Sequence, residues 1–136
     1  VKFSAKSENE SLSRVIVASF AAKLDPTLDE LSDIKMAVSE AVTNSIVHGY
    51  EEDESKFVYL RCELEDRMIK VVIEDRGKGI EDIKQAMQPM YTSKPELDRA
   101  GMGFSFMESF MDTLEVVSIK GEGTKVVMTK TIELPK

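Results

Sequence analysis

Glu40, Asn44 and His48 recur at four-residue intervals, and Gly49 follows the last of them. On a helix, residues four apart sit one above the other, so the three side chains predict one stripe. Glu40 is expected on the polar side of that helix, with Asn44 and His48 turning progressively toward the apolar face. A stripe at the boundary of core and solvent is where a pocket wall stands. A carboxylate there can take a proton from an attacking hydroxyl or a water. An amide oxygen can ligate Mg²⁺, a hard ion that keeps waters and shares phosphate oxygens, so one protein ligand is enough. Each residue also has an ordinary explanation. A glutamate on a helix edge is usually just solvated, and a histidine near a helix end can serve the dipole. Asn44 is a poor helix former in mid-helix, which raises the functional reading of that position.

Two glycine motifs follow. Asp75, Gly77 and Gly79 come directly after an alternating apolar run. Glycine lets backbone approach a flat ring closely, and a carboxylate accepts from an exocyclic amine, so Asp75 can read adenine. A tight turn would use the same residues. Gly101 and Gly103 precede Phe104 at the expected start of a helix, where free N–H groups and the dipole suit phosphate. The spacing is not a Rossmann fingerprint, and no Gly-x-x-x-x-Gly-Lys-Ser/Thr run exists for a P-loop. Between the two motifs, Thr92, Ser93, Lys94 and Arg99 lie in a polar stretch, residues 88–100, of a length and polarity that suit a lid over phosphates. A base, a metal ligand, a purine reader and a phosphate cradle make up most of a nucleotide site.

The elements that must position these groups are legible as patterns. Ser7 to Glu10 and Thr27 to Glu30 both have capping-box spacing. After the first box, Leu12, Val15, Ile16, Phe20 and Leu24 predict an apolar helix stripe, ended by Asp25-Pro26. After the second, Leu31, Ile34, Val38, Ala41, Val42 and Ser45 predict a long helix facing inward, with Gly49 as its C-terminal stop. Alternation predicts strands at 57–65, with Val58, Leu60, Cys62 and Leu64 on one face, and at 68–74, with Ile69, Val71 and Ile73 inward. A short helix is expected at 80–87, another at 103–112, and a last hairpin at 114–120 and 124–134. The sum is an α/β chain, an α+β two-layer sandwich with a mixed, mostly antiparallel sheet of about four or five strands and helices on one face.

The 136 residues predict one domain, 1–136, of ordinary size. With 42% apolar and 32% charged residues, it reads as soluble and globular. No apolar run approaches a membrane span, and residues 1–6 hold no signal-peptide core. The chain opens without an initiator Met, so a native start a few residues upstream is expected. Cys62 is the single cysteine, so no intrachain disulfide forms, which suits a reducing cytoplasm. The net charge of −7 disfavours direct nucleic-acid binding, which needs a basic surface.

The ordered set of Glu40, Asn44, His48-Gly49, Asp75-x-Gly77-x-Gly79 and Gly101-x-Gly103-Phe104 resembles the ATP-binding superfamily of gyrase, the large ATP-dependent heat-shock chaperones, histidine kinases and MutL. Within it the chain is similar to the bacterial anti-sigma factor kinases of the sporulation type, on the segments 24–30, 38–44 and 92–98. The resemblance implies a Bergerat-type ATP-binding fold, ATP/ADP and Mg²⁺ as cofactors, and a serine kinase that also holds a sigma factor. Glu40 would be the general base and Asn44 the Mg²⁺ ligand, with His48 in the same ATP motif. Asp75, Gly77, Gly79 and Thr124 would hold adenine. Gly101 and Gly103 would hold phosphates, and Thr92, Ser93, Lys94 and Arg99 would belong to the lid. Arg14 would contact protein partners. Those partners would be a sporulation sigma F-type factor, an anti-anti-sigma protein as phosphorylation substrate, and a second copy in a homodimer. The competing reading is a nucleotide-gated sigma-binding module without kinase activity. A histidine kinase is disfavoured, since His48 is the single histidine and belongs to the ATP motif.

Overall fold

The computed structural model describes residues 1–80 and 103–134. The expected helix at 80–87 beyond Ile80, the whole of the lid at 88–100 and Gly101 therefore fall outside the described residues. Along the chain run β1 (Lys2–Ser4), α1 (Glu8–Ala21), α2 (Leu28–Thr43), a π-helical turn (Asn44–Gly49), β2 (Phe57–Glu65), β3 (Met68–Asp75), α3 (Gly103–Phe110), β4 (Thr113–Ile119) and β5 (Gly123–Thr131). The strands form one sheet in the order β1-β2-β3-β5-β4, with every pair antiparallel. The expected two-layer α+β architecture is what forms.

Alternation explains the layering. Val58 and Leu60 of β2, Ile69, Val71 and Ile73 of β3, and Val126 and Met128 of β5 are buried together with Ile34, Val38, Ala41 and Val42 of α2. Truncating one such buried isoleucine to alanine costs about 2–5 kcal/mol. Arg67, in the β2–β3 turn, ties three segments together. It donates to the carbonyls of Leu24 (2.6 Å), Ile132 (3.0 Å) and Glu133 (3.0 Å).

The second capping box forms as expected. The Thr27 hydroxyl accepts from the Glu30 amide at 3.1 Å, and the Glu30 carboxylate accepts from the Thr27 amide at 2.9 Å. The Thr27 amide is the main cause that holds the Glu30 carboxyl below the ordinary value. The first box does not form. Ser7 is itself helical and makes no side-chain cap. The reason is that Glu10 is engaged elsewhere, with Arg14 Nε at 3.1 Å and with the Ser39 hydroxyl of α2.

The stripe expected on α1 is out of phase. Ser13, Val17 and Ala21 are the buried residues, while Leu12, Val15 and Phe20 are exposed. The small Ser13 and Ala21 let α1 lie close to α2, and the Ser13 hydroxyl is satisfied by the Glu10 carbonyl at 2.6 Å. Leu24 still reaches the core, through a 3₁₀ turn at Ala22–Leu24. Gly49 is also not the left-handed stop. Glu51 (φ 51°) and Glu52 (φ 64°) carry the positive φ, and the Tyr50 amide closes the helix on the Ser45 carbonyl at 2.9 Å.

Candidate active site

The chemistry-bearing groups stand where α2 passes into its π-helical turn. Glu40 is 4% exposed, within an unbroken buried run from Ala37 to Val42. This corrects the expectation of a polar-edge glutamate. Both α1 and α3 pack on α2, and six consecutive residues of its C-terminal half, Ala37 to Val42, are buried. Asn44 and His48 are half-buried, so the acid lies deepest. The turn from Asn44 to Gly49 uses i to i−5 bonding. Four-residue stacking therefore ends at Asn44, and His48 is rotated away from the simple stripe. Wide turns of this kind interrupt α-helices mostly at functional sites.

The second group of residues is built around Asp75, the last residue of β3, also 4% exposed. Its register partner on β5 is Thr124, the residue expected beside it. The Gly77 amide donates to Asp75 Oδ1 at 2.9 Å, and the Ser45 side chain also bonds the carboxylate. Burial outweighs these bonds and pushes the carboxyl above the ordinary value.

Backbone contacts lock this region to the end of α2. A Cβ on Gly77 would lie 2.1 Å from the Gly49 carbonyl oxygen, and one on Gly49 would lie 2.8 Å from Asp75 Oδ1. Gly49 is thus required by close approach to Asp75 and not by helix termination. The Gly49 carbonyl accepts from the Lys78 amide at 3.0 Å. Gly79 has φ +75° and lies against the Ile119 carbonyl, a conformation that disfavours any side chain. Tyr50 completes the lock. Its hydroxyl donates to the Phe57 carbonyl and accepts from the Arg76 amide at 2.7 Å. Burial raises its ionisation above the usual phenol value, so the O–H stays available as a donor.

A family model described as a histidine kinase-like ATPase domain matches residues 3–130. An anti-sigma F factor of Clostridium perfringens is 58% identical over 130 residues, covering 96% of this chain and 93% of the relative. One from Clostridium acetobutylicum is 58% identical over 134 residues, covering 98% and 93%. The chain belongs to the anti-sigma F factor family of histidine kinase-like ATPases. Among solved structures, the RsbU and RsbW domains of Rv1364c from Mycobacterium tuberculosis share the fold. Their TM-score is 0.66 at 19% identity, covering 97% of this chain and 31% of that one. A histidine kinase domain from Erythrobacter litoralis also shares it, with TM-score 0.57 and 23% identity over 76% of this chain and 45% of that one.

As in other ATPase domains of this type, the fold is one that takes a nucleotide. The structure brings Ser45, Gly49, Asp75, Gly77 and Thr124 together, and it sets Glu40 and Asn44 one helical turn apart on α2. Gly103 begins α3, whose Phe104 and Met107 are buried. Thr92, Ser93, Lys94, Arg99 and Gly101 are outside the described residues. Arg14 is on α1, with Nε 3.1 Å from Glu10, whose carboxylate also accepts from Ser39 beside Glu40, and with a guanidinium N–H 3.1 Å from the Ser11 hydroxyl. Sequence reasoning missed Ser45, assigned to the core, and Tyr50, assigned nothing. Their positions one and six residues after Asn44 were the available signal, but their partners come from β2, from the end of β3 and from the turn after it.

Among the described residues no group of three or more His, Cys, Asp and Glu is placed to hold a metal ion. A protein cage for a cation is thus not built there. A single amide oxygen sharing its ion with nucleotide phosphates would fit the donors present, and Asn44 would be that amide.

Proposed function

We propose that this member of the anti-sigma F family is a single-domain serine protein kinase that also binds and inhibits a sporulation sigma F-type factor. Its phosphorylation substrate would be a serine on an anti-anti-sigma protein, with Mg-ATP as donor. The observation that carries the reading is Glu40, an acid buried one helical turn before Asn44, in a chain 58% identical to proteins named anti-sigma F factor. A pure nucleotide-gated binder has no use for a buried acid there.

Asp75 would accept from the adenine amine, with Gly77, Gly79 and Thr124 forming the walls, and His48 would line the same cavity. Asn44 would hold Mg²⁺, which spreads the charge of the transferring phosphoryl group. Gly101 and Gly103 would offer backbone N–H groups to the phosphates, under a lid carrying Thr92, Ser93, Lys94 and Arg99. Glu40 would take the proton of the substrate serine as its oxygen bonds to the γ-phosphorus. The bond from that phosphorus to the bridging oxygen breaks, and ADP leaves. Most of the catalysis would be positioning and electrostatics. The new phosphoserine's charge then opposes rebinding. Arg14, half-buried on α1 with its guanidinium paired to Glu10, would contact the partners through its remaining accessible surface.

The protein would work as a homodimer in the cytoplasm. Among the described residues no helix is long and apolar enough to cross a membrane. The deciding experiment offers labelled ATP with the anti-anti-sigma protein. Transfer to serine is expected from the native chain. Sigma binding without any transfer would leave the binding-module reading instead.

A further inference from the structure

Three polar side chains form one row across the sheet, on the face that carries the buried Ile73, Val126 and Met128. Asp75 of β3 lies opposite Thr124 of β5, and Thr124 lies opposite Ser118 of β4. Asp75 and Thr124 are proposed above to hold adenine, and Ser118 has no role so far. Its hydroxyl is nevertheless a hub. The Ile80 amide donates to Ser118 Oγ at 2.7 Å, Ser118 Oγ donates to the Gly123 carbonyl at 3.1 Å, and the Thr124 hydroxyl oxygen lies 2.8 Å away.

The protons of this hub can be counted. A hydroxyl has one proton and two lone pairs, an amide N–H only donates, and a carbonyl only accepts. With the Ser118 proton spent on Gly123, the bond between Ser118 and Thr124 has to be closed by the Thr124 proton. This assignment gives Ser118 all three bonds. The reverse gives up the Gly123 bond and leaves the buried Thr124 hydroxyl with a proton to place. Thr124 Oγ1 is then left with lone pairs alone. Asp75 beside it accepts from the Gly77 amide, the Ser45 side chain and the Thr124 amide. An ionised carboxylate has about four acceptor sites and no donor, so acceptor capacity remains there too. The two neighbours show a ligand acceptors and no proton.

We propose that Ser118 is a specificity-determining positioning residue: by taking the Thr124 proton, it makes the Asp75–Thr124 pair select a 6-amino purine and reject a 6-oxo purine. The inference rests on the reading of Asp75 and Thr124 as the adenine wall. A 6-amino group has two protons for two acceptors. A 6-oxo group sets lone pairs against lone pairs. A Thr124 hydroxyl free to turn could give its proton to that oxygen, and Ser118 removes the freedom. The frame around Ser118 is tight. A Cβ on Gly123 would lie 2.1 Å from the Asp75 carbonyl oxygen, and the Gly121 amide donates to the Lys78 carbonyl at 2.6 Å. The β4–β5 hairpin is thereby locked onto the turn after Asp75, and a locked supporting shell is what holds a ligand-reading group in one role.

Calorimetric titration of the full, nucleotide-free chain with Mg-ATP and with Mg-ITP tests this, since the two nucleotides differ only at the 6-position and the adjacent ring nitrogen. The native chain should prefer ATP roughly 100-fold, two mismatched bonds at about tenfold each. Ser118→Ala releases the Thr124 proton, and the preference should shrink about 5- to 10-fold, leaving the part due to Asp75. Ser118→Thr restores the hydroxyl and should restore the native ratio. Ser118→Cys carries a weak donor and a weak acceptor. It should relax the ratio as alanine does, and it decides the matter if circular dichroism shows the alanine variant unfolded. Equal weakening of ATP and ITP, with the ratio unchanged, would reduce Ser118 to a clamp on the Ile80 amide and overturn the proposal. A preference lost in Asp75→Asn but kept in both Ser118→Ala and Ser118→Cys also overturns it, while leaving the adenine wall standing. A native chain that binds ATP and ITP alike overturns the adenine wall and this proposal with it.

Discussion

The two ends of the candidate site are held by different physics. Around Asp75, backbone meets backbone, Gly49 against Gly77 and Lys78 bonded to Gly49, and the Tyr50 hydroxyl adds a bond to the Arg76 amide. Around Glu40, a side chain is held by burial in a helix that is covered on several sides. The Asp75 end, proposed above to hold adenine, is therefore sensitive to added volume. The chemical end is sensitive to a change of function in one group. A change at one end should leave the other nearly intact, and the following expectations test that separation.

The largest effect is expected at Glu40. Glu40→Gln keeps the shape and removes the proton acceptor, so phosphoryl transfer should fall by roughly 10²–10⁴. ATP affinity should stay within a few-fold by calorimetry. Unchanged transfer would remove the general-base role.

Gly77→Ala is the opposite probe. Its Cβ would meet the Gly49 carbonyl oxygen at 2.1 Å, a backbone atom that cannot swing aside. Overpacking of this kind costs about 1–3 kcal/mol. If that cost falls on the adenine end, ATP affinity drops roughly 5- to 150-fold, with transfer at saturating ATP largely kept. A proportional loss of the saturated rate would show that the two ends are not separable.

Acidity offers a gentler perturbation. Burial places the Asp75 carboxyl above its ordinary value of 3.8. An ionised carboxylate is a stronger acceptor for an amine than a neutral carboxyl, so if Asp75 reads adenine, ATP affinity should be full above the raised value and decline as pH falls through it. Stability of the nucleotide-free protein has the opposite sign. The folded form binds this proton more tightly than the unfolded chain, so the Asp75 contribution grows as pH falls from the raised value toward 3.8. Asp75→Asn should remove that slope from thermal unfolding measured across weakly acidic pH.

The smallest effect is expected from Tyr50→Phe, which deletes two hydrogen bonds and little volume. The loss should be about 1–2 kcal/mol of stability. KM for ATP should rise several-fold with kcat unchanged, because the hydroxyl holds the turn after Asp75 and not the reacting atoms. A fall in kcat alone would place Tyr50 at the chemical end.

The strands, their alternation and the Thr27 capping box were legible because each depends on neighbours close in the chain. The α1 stripe was misread because Ser13 and Ala21 are small, and smallness allows close packing that periodicity of large apolar residues does not register. Gly49 was read as a helix stop because local patterns attribute glycine to backbone dihedrals. Its actual constraint is a carboxylate that arrives from β3, 26 residues later.

The sequence by itself determined which groups exist and on which elements they ride: Glu40 and Asn44 on a helix, Asp75 at the end of a strand, Gly103 at a helix start. Those assignments follow from short-range periodicity and turn chemistry, which the local chain dictates. The tertiary structure alone decided that Glu40 is buried, that Ser45 bonds Asp75 and Tyr50 bonds Arg76, and that Gly49 and Gly77 touch. Burial and cross-chain contact depend on what packs against a residue, and here the packing comes from α1, α3, β2 and β3. No local spacing encodes those neighbours.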